Sequence, residues 1–312
     1  MTVEVSILCL TYNHRQYIEQ TLEGFLNQKT NFEFEIIVHD DASTDGTQDI
    51  LRKYEREYGN KIKVIYEEKN KFKLAMANGG YFRGVLEPLA GGRYIATCEG
   101  DDYWIDDSKL QIQYDFMNSH PDYICCGHAA KVFNCEENKF SSKYVGCGSE
   151  PQDLTVPLVL SNHFMQTATL FYKKGFARKY VTQWFSHAVV GDVSWLIYLI
   201  EEGKVFYSPK IMSVYRLSSV GSYSSVKDAS ILTERNIKLM NQTASLNIKT
   251  GGKYKKEFMD KEIDYACRVG IYGGLSFFFK DEAGKRIRNK ITIKKWIGIL
   301  FYRIKLLLKL SD

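Results

Sequence analysis

Short runs of β-branched residues alternate with helix-like hydrophobic periodicity along the first 134 residues of this 312-residue chain. Residues 3–10 have the composition of a buried strand, and apolar residues then recur along one helix face at Ile18, Leu22, Phe25 and Leu26. The same reasoning predicts strands at residues 34–38, 62–66, 94–98 and 123–132, with helices between them. This order predicts an α/β, Rossmann-like fold: a mostly parallel sheet flanked by helices, with a ligand site at the carboxyl ends of the strands.

The alternation becomes less regular after residue 134. It predicts a strand at residues 169–173, a helix at 193–201, two short strands at 205–207 and 213–217, and helices from residue 226 onwards. We therefore expect one α/β domain over residues 1–222, with halves at 1–134 and 135–222, followed by a helical C-terminal extension over residues 223–312.

Positive charge is concentrated near the end of the chain. The formal net charge is +5, but residues 280–312 hold ten Lys or Arg against three Asp or Glu, so the rest of the chain is slightly acidic. This distribution argues against nucleic-acid binding by the main body. The seven cysteines form no C-x-x-C pair and the N-terminus lacks the pattern of a signal peptide, so we expect a reduced, cytoplasmic protein.

Polar loops follow three of the predicted strands. Neither a P-loop nor a G-x-G-x-x-G turn is present, which argues against a P-loop NTPase and a dinucleotide-binding domain. The loops instead carry Thr11-Tyr12-Asn13, Asp40-Asp41 and Glu99-Gly100-Asp101-Asp102. Because the carboxyl ends of parallel strands meet at one edge of a sheet, we expect the three loops to converge.

The third loop places three carboxylates, Glu99, Asp101 and Asp102, within four residues. Their mutual repulsion requires a compensating cation or water. A hard divalent ion such as Mg²⁺ or Mn²⁺, bound through one or two carboxylates with phosphate and water completing its shell, fits this pattern. The alternative is a solvated turn that precedes a helix N-terminus rich in aspartate, at residues 106–107.

The second loop combines helix-capping residues with a pair of carboxylates. Ser43, Thr44 or Asp45 can cap a helix that begins near Thr47. Capping leaves the Asp40-Asp41 pair unexplained, and a carboxylate at that position could accept a hydrogen bond from a base N–H or a ribose hydroxyl.

Three segments, VSILCLTYNH, IIVHDDASTDGT and GGRYIATCEGDDYW, occur in this order and together resemble the family 2 glycosyltransferases of the GT-A fold. The resemblance covers roughly residues 3–220, and the CEGDDYW form is similar to enzymes of bacterial capsule, O-antigen and cell-wall polysaccharide biosynthesis. It implies an inverting, metal-dependent transfer of a sugar from a nucleotide-sugar donor, usually a UDP-sugar, to a hydroxyl of a saccharide or polyprenyl-linked saccharide.

The resemblance also implies roles for individual residues. The nucleotide-binding set is Thr11, Tyr12, Asn13, Asp40, Asp41, Arg83 and Glu99. Within it, the Tyr12 ring stacks near the nucleobase and Asp41 reads the base. Asp101 is the ligand of Mn²⁺ or Mg²⁺, and Asp102 supports it. Glu99 departs from the more common aspartate, and Arg83 is either a diphosphate contact or a structural residue.

Residues of the second half supply the remaining predicted roles. Asp192, at the start of a predicted helix, matches the general base of the family; the alternative is that it caps its helix. Arg216 matches an arginine on the diphosphate side, although Ser218 replaces the histidine that commonly follows. His163 and Gln166 lie in a segment that matches an acceptor-side loop, or belong to a plain surface loop.

Residues 285–310 interleave Lys and Arg with large apolar side chains. The longest uncharged stretch, residues 296–302, is too short to span a bilayer. A basic amphipathic segment of this kind can lie in the interface of an anionic membrane, which would place the protein at the inner face of the cell membrane. The alternative is a helix packed on the protein itself or on a partner.

Two other functions are compatible with parts of the sequence. A sugar-phosphate nucleotidyltransferase shares a similar fold, but it needs a glycine-rich triphosphate loop after the first strand, and residues 11–14 do not form one. A catalytically inactive module could instead use the C-terminal segment as a scaffold at the membrane. Such a module predicts no metal-dependent nucleotide binding.

Overall fold

The computed structural model describes residues 2–72, 82–161, 165–184, 191–220 and 222–308. The predicted site residue His163 and the side chain of Arg83 lie outside the described part. The chain divides into two compact units. The first contains Met1–Ser186 and Gly191–Ser225, and the second is formed mainly by Val226–Asp312.

A single large sheet organises the first unit. Its strands are β1 (Val3–Thr11), β2 (Glu33–Asp40), β3 (Ile62–Tyr66), β4 (Tyr94–Glu99), β5 (Tyr103–Trp104), β6 (Tyr123–Asn134), β7 (Lys139–Val145), β8 (Gln152–Asp153), β9 (Phe171–Lys173) and β10 (Lys204–Leu217). The main path runs β3-β2-β1-β4-β9-β6-β10-β5, with β7 beside β6 and β8 beside β10. Strands β3, β2, β1 and β4 are parallel, as are β6 and β10, whereas β9 is antiparallel to both of its neighbours. The predicted α/β, mostly parallel architecture is confirmed.

Helices flank the strands of this sheet, and those at residues 18–26, 47–57, 109–119 and 191–202 confirm the hydrophobic periodicity. The helix expected between residues 66 and 94 falls largely on residues outside the described part. The helices are α1 (Ile18–Leu26), α2 (Thr47–Glu57), α3 (Lys109–Ser119), α4 (Val156–Leu160), α5 (Ala177–Gln183) and α6 (Gly191–Glu202). Ile18, Leu22 and Phe25 of α1 are buried in one cluster with side chains of the parallel strands. Gly46 is the N-cap of α2, and Asp45, one residue before it, accepts a hydrogen bond from the Thr47 N–H (2.9 Å).

The prediction of two short strands near residues 205–217 was wrong, because β10 is one strand of 14 residues. Its pairing with β6 shifts register between Ser208 and Ile211, and again before Ser213. Pro209 lacks a backbone N–H and breaks the pattern in sequence. The irregular pairing accommodates Pro209 without ending the strand.

The second unit consists of helices over the residues that the structure describes: α7 (Ala229–Lys249), α8 (Lys255–Tyr272), α9 (Phe277–Lys280), α10 (Glu282–Arg288) and α11 (Ile293–Leu308). Their core includes Met240, Ile263, Phe278 and Ile299. The helical character expected from residue 226 is therefore confirmed up to residue 308. Among the described helices, none is both long and apolar enough to cross a bilayer.

Candidate active site

The three polar loops converge at the carboxyl ends of neighbouring parallel strands. Thr11 is paired with Asp40 across β1 and β2, and Leu10 is paired with Glu99 across β1 and β4. Beyond the strands, the Asp41 N–H donates to the Thr11 carbonyl (3.0 Å). We call these strand ends and their loops the acidic rim: residues 11–15, 40–45 and 99–102.

The first two loops of the acidic rim are joined by backbone-to-side-chain hydrogen bonds. The Asn13 N–H donates to Ser43 Oγ (2.8 Å), and the Thr44 N–H donates to Asn13 Oδ1 (2.8 Å). Asn13 and Ala42 have left-handed φ angles of 56° and 64°. Such backbone is uncommon outside glycine and persists only where surrounding contacts hold it. The loops therefore form a preorganised surface, from which the Tyr12 ring is exposed.

Some polar atoms of these two loops are buried and have no described protein partner. Asp40 is fully buried, and its Oδ1 accepts hydrogen bonds from the Ser43 N–H (3.0 Å) and Gln48 Nε2 (2.6 Å). Asp40 Oδ2, Thr11 Oγ1 and His14 Nδ1 have no hydrogen-bond partner among the described residues. Buried polar atoms are ordinarily satisfied, so these three atoms indicate a place for a polar ligand or water.

Asp41, in the second loop, is held in place by residues that follow β3. Its side chain is buried, and Oδ1 accepts a hydrogen bond from the Lys71 N–H (2.7 Å). The Asn70 side chain donates to the Asp41 carbonyl (3.4 Å). The residues that follow β3 thus fix the position of this carboxylate.

The acidic loop after β4 depends on Gly100. A Cβ atom at this position would lie 2.9 Å from both His14 Nδ1 and the Thr11 Cβ, so only glycine lets the loop approach β1 this closely. The Gly100 N–H donates to the Leu10 carbonyl (2.7 Å). Close packing of this kind places Asp101 and Asp102 beside the first loop.

Asp102 is buried in an environment that opposes its ionisation. Burial, followed by the neighbouring charge of Asp101, raises the pKa of the Asp102 carboxyl well above its usual range. Its Oδ1 accepts a hydrogen bond from the Arg216 N–H (2.8 Å), which only partly offsets this effect. Glu99, at the end of β4, is half-buried.

The carboxylates fit a divalent cation that a bound phosphate group and water also hold. Among the described residues, no group of three or more His, Cys, Asp or Glu side chains is arranged to hold a metal ion. The repulsion between Asp101 and the buried Asp102 is nevertheless the condition that a cation relieves. A site with one or two carboxylates suits Mg²⁺ or Mn²⁺ when phosphate and water complete the shell.

Arg216 is buried and contacts the acidic loop rather than solvent. Its guanidinium donates to the Asp101 carbonyl and to Gln20 Oε1. The same group lies 4.9 Å from the centre of the Tyr17 ring and 4.4 Å from that of Tyr103. These contacts hold the loop backbone in place, and the predicted contact of Arg216 with a diphosphate stays a prediction.

Asp192 lies in the first turn of α6, where the helix dipole favours a carboxylate. The helix is anchored by buried Trp195 and Tyr198, which contact each other with ring centres 5.5 Å apart. The negative charge of Asp192 contributes to the raised pKa of Asp102, so the two carboxylates share one electrostatic environment. The predicted role of Asp192 as the general base stays a prediction.

Sequence reasoning missed a set of side chains that hold the segment after Gln166. The half-buried Gln166 precedes a 3-10 turn, Thr167–Thr169. Its three successive carbonyls accept hydrogen bonds from side chains of β4, β5 and α3: Thr97 Oγ1 to Thr167 (2.7 Å), Trp104 Nε1 to Ala168 (2.9 Å) and Gln113 Nε2 to Thr169 (2.9 Å). No local pattern signals these contacts, because the partners lie 56 to 70 residues apart.

A buried lysine supports this arrangement. Lys109 Nζ donates to Gln113 Oε1 (2.7 Å) and lies 3.9 Å from the centre of the Trp104 ring. Burial lowers the pKa of Lys109 to about 7. The turn that carries Gln166 is therefore fixed to the strand and helix on either side of the acidic loop.

Comparison of the sequence with models of known families gives a match. The model of glycosyl transferase family 2 matches residues 6–180. An uncharacterized protein of Mycobacterium tuberculosis is 32% identical over 223 residues, which cover 71% of this chain and 61% of the relative. The chain thus spans less than two thirds of the length of this curated relative.

Two further proteins are similar over most of the chain. The UDP-Glc:alpha-D-GlcNAc-diphosphoundecaprenol beta-1,3-glucosyltransferase WfaP of Escherichia coli is 26% identical over 236 residues, covering 75% of this chain and 84% of WfaP. The crystal structure of S. aureus TarS in complex with UDP-GlcNAc has a TM-score of 0.60 at 17% identity, covering 97% of this chain and 81% of the TarS chain. The second likeness establishes a shared fold.

Proposed function

This chain belongs to glycosyl transferase family 2 and has the GT-A fold, and we propose that it transfers a sugar from a UDP-sugar to a hydroxyl of a saccharide or lipid-linked saccharide. The observation that carries this proposal is the acidic rim. It combines preorganised loops, the half-buried Asp101 beside the buried Asp102, and three buried polar atoms without described protein partners. WfaP is named for a UDP-Glc donor, and TarS was crystallised with UDP-GlcNAc.

The nucleotide is recognised by the first two loops of the rim. The exposed Tyr12 ring stacks on the base, and Asp41 accepts a hydrogen bond from a base N–H. The Thr11 hydroxyl donates a hydrogen bond to the same nucleotide or accepts one from it, and Asp40 Oδ2 accepts one. The backbone strain at Asn13 and Ala42 supports this assignment, because strained backbone clusters at ligand sites.

Asp101 and Asp102 would hold a divalent ion, with Glu99 beside them. Bound there, Mn²⁺ or Mg²⁺ neutralises negative charge on the departing diphosphate. The protein contributes the fixed position of the two carboxylates, which Arg216 secures through the Asp101 carbonyl and the Asp102 side chain. The desolvated Asp102 increases the benefit of a cation at this point.

Asp192 acts as the general base in an inverting displacement. Its carboxylate accepts the proton of the acceptor hydroxyl while that oxygen bonds to the anomeric carbon from the face opposite the leaving group. The bond between the anomeric carbon and the diphosphate breaks, and UDP leaves with the bonding electrons. Gln166, which precedes the Thr167–Thr169 turn, would contact the acceptor.

The acceptor is a polyprenyl-linked saccharide at the cytoplasmic face of the membrane, in surface polysaccharide biosynthesis. WfaP is named for a diphosphoundecaprenol acceptor. Helix α11 exposes Ile293, Ile297, Leu300, Phe301, Ile304, Leu307 and Leu308, while Ile299 is buried and Arg303 donates to carbonyls of α8. The exposed face, with nearby Lys294 and Lys305, suits the interface of an anionic bilayer.

Calorimetric titration of UDP, GDP and CDP into the protein, first with Mn²⁺ and then with EDTA, tests the proposal. We expect UDP to bind only with Mn²⁺, and GDP and CDP to bind much more weakly. Binding of no nucleotide under either condition would overturn the enzyme assignment in favour of an inactive scaffold. Preferential GDP or CDP binding would retain the enzyme and overturn the donor.

A further inference from the structure

The last residues of β10 and the segment that follows contact the acidic loop at two side chains more than a hundred residues away in sequence. The Arg216 N–H donates to Asp102 Oδ1 (2.8 Å), and Ser219 Oγ donates to Asp101 Oδ2 (2.6 Å). Ser219 is fully buried, so its hydroxyl is not exchanging freely with bulk water. Each carboxylate of the Asp101-Asp102 pair thus has its own partner on this segment.

An unusual backbone conformation brings the Ser219 hydroxyl to Asp101. Ser218 has a left-handed φ of 58°, which turns the chain directly after β10. The Ser218 N–H donates to Ser224 Oγ (2.8 Å), and the Val220 N–H donates to the Tyr17 hydroxyl (3.4 Å). A non-glycine residue keeps this conformation only when its surroundings hold it, and these bonds do so on both sides of Ser219.

The contact has a chemical consequence for Asp101. A hydroxyl that donates to a carboxylate limits rotation of that carboxylate. The bond uses Oδ2, so Oδ1 remains outside it. Residues that orient a metal ligand in this way ordinarily affect metal affinity without touching the metal.

We propose that Ser219 is a positioning residue that orients the Asp101 carboxylate for a divalent cation bound together with the donor diphosphate. The inference rests on the proposed function, since it takes Asp101 as a metal ligand. It adds that the segment after β10 prepares this ligand before the cation arrives. Ser219 neither binds the cation nor transfers a proton.

Mn²⁺ binding measured by electron paramagnetic resonance, with saturating UDP and without turnover, tests this role. The variants are Ser219→Ala, Ser219→Cys and Asp101→Asn. The matched control is Ser222→Ala, whose hydroxyl pairs with Ser224 in the same segment and, among the described residues, makes no hydrogen bond with the acidic loop. Thermal unfolding of each variant separates a loss of Mn²⁺ affinity from a loss of fold.

We expect Ser219→Ala to weaken Mn²⁺ binding about tenfold, with its melting temperature near that of the wild type. The Mn²⁺ affinity of Ser219→Cys, a weaker donor of similar size, should lie between those of Ser219→Ala and the wild type. The affinity of Ser222→Ala should match that of the wild type. Wild-type Mn²⁺ affinity in Ser219→Ala, together with a loss in Asp101→Asn, would overturn the role of Ser219 alone. Wild-type affinity in Asp101→Asn would instead overturn the metal role of Asp101, and this inference with it.

Discussion

The acidic rim and helix α11 depart from the usual distribution of side chains in opposite ways. In the rim, the Asp40 and Asp102 carboxylates are 0% and 1% exposed. On α11, the apolar side chains of Ile293 and Leu307 are 80% and 68% exposed. Buried charge and exposed apolar surface both cost free energy, and both are therefore informative about function.

The two regions differ in how that cost is offset. In the rim, hydrogen bonds from the protein satisfy part of each buried carboxylate, as the Arg216 N–H does for Asp102 and the Ser43 N–H does for Asp40. A ligand then has to pair only with the carboxylate oxygens that have no protein partner. On α11 the exposed apolar face is broad and continuous along the helix. The comparison teaches that the rim is specific by geometry, whereas α11 is suited to a partner without fixed geometry, such as a bilayer.

The largest expected effect is on catalysis. Asp192→Asn should lower the rate of transfer by about 10²- to 10⁴-fold, because the side chain loses its capacity to accept a proton. UDP affinity should change little, since Asp192 lies on α6 and outside the nucleotide loops. The measurements are UDP release from a UDP-sugar in the presence of host membranes as the acceptor source, and calorimetric titration of UDP. A parallel loss of UDP binding would contradict the assigned role.

A smaller effect is expected on nucleotide affinity. Asp41→Ala should weaken UDP binding by about tenfold to a hundredfold, the cost of a hydrogen bond to a charged group. Asp49→Ala is the control, because Asp49 is an exposed aspartate in the first turn of the neighbouring α2. Calorimetric titration of UDP measures both variants. Equal affinities of Asp41→Ala and the wild type would show that this carboxylate does not read the base.

The exposed face of α11 predicts a vesicle-binding effect of about tenfold or more. Replacing Ile297 and Leu307 with serine removes apolar area that would enter the bilayer interface. Ile248→Ser is the control, because Ile248 is 78% exposed on α7. Co-sedimentation with vesicles rich in phosphatidylglycerol, compared with phosphatidylcholine vesicles, measures binding. Unchanged sedimentation of the double variant would identify α11 as a surface for something other than lipid.

A further effect concerns stability near Trp104. The pKa of Lys109 is lowered from 10.5 to about 7 by burial, so between these pH values the unfolded chain holds a proton that the folded protein lacks. The contribution of Lys109 therefore makes the protein more stable as pH rises from 7 to 10.5, and its burial penalty is fully present below pH 7.

Urea unfolding of the wild type and Lys109→Met at pH 7 and pH 9.5 measures this contribution. The stability of Lys109→Met relative to the wild type should fall as pH rises, because methionine has no charge to bury at either pH. Lys131→Met, at an exposed lysine of β6, is the control and should show no such trend. A constant difference between Lys109→Met and the wild type would contradict the lowered pKa.

Much of the rim could be predicted because its components are local in sequence. Hydrophobic periodicity identifies β1, β2 and β4, and parallel pairing then brings Thr11, Asp40 and Glu99 to one edge. The hydrogen bond from the Thr47 N–H to Asp45 at the start of α2 is equally local, since the two partners are two residues apart. The helical extension follows from the same periodicity.

Other parts could not be predicted, because they depend on contacts between distant segments. Trp104 stands inside a recognised motif, but its N–H donates to Ala168, 64 residues away. The residue pattern predicted two short strands at 205–207 and 213–217, whereas pairing with β6 makes β10 one strand. The role of Arg216 in holding the Asp101 carbonyl is likewise invisible in the sequence.

The order of strands and helices, the three polar loops and the basic apolar end of the chain are determined by the sequence alone, since each arises from residues close together. The tertiary structure alone decided which donor meets each carboxylate, as when Ser219 reaches Asp101 across 118 residues. Such pairings depend on the register and turns of every intervening element, and a local pattern carries no information about distances that arise only when those elements pack.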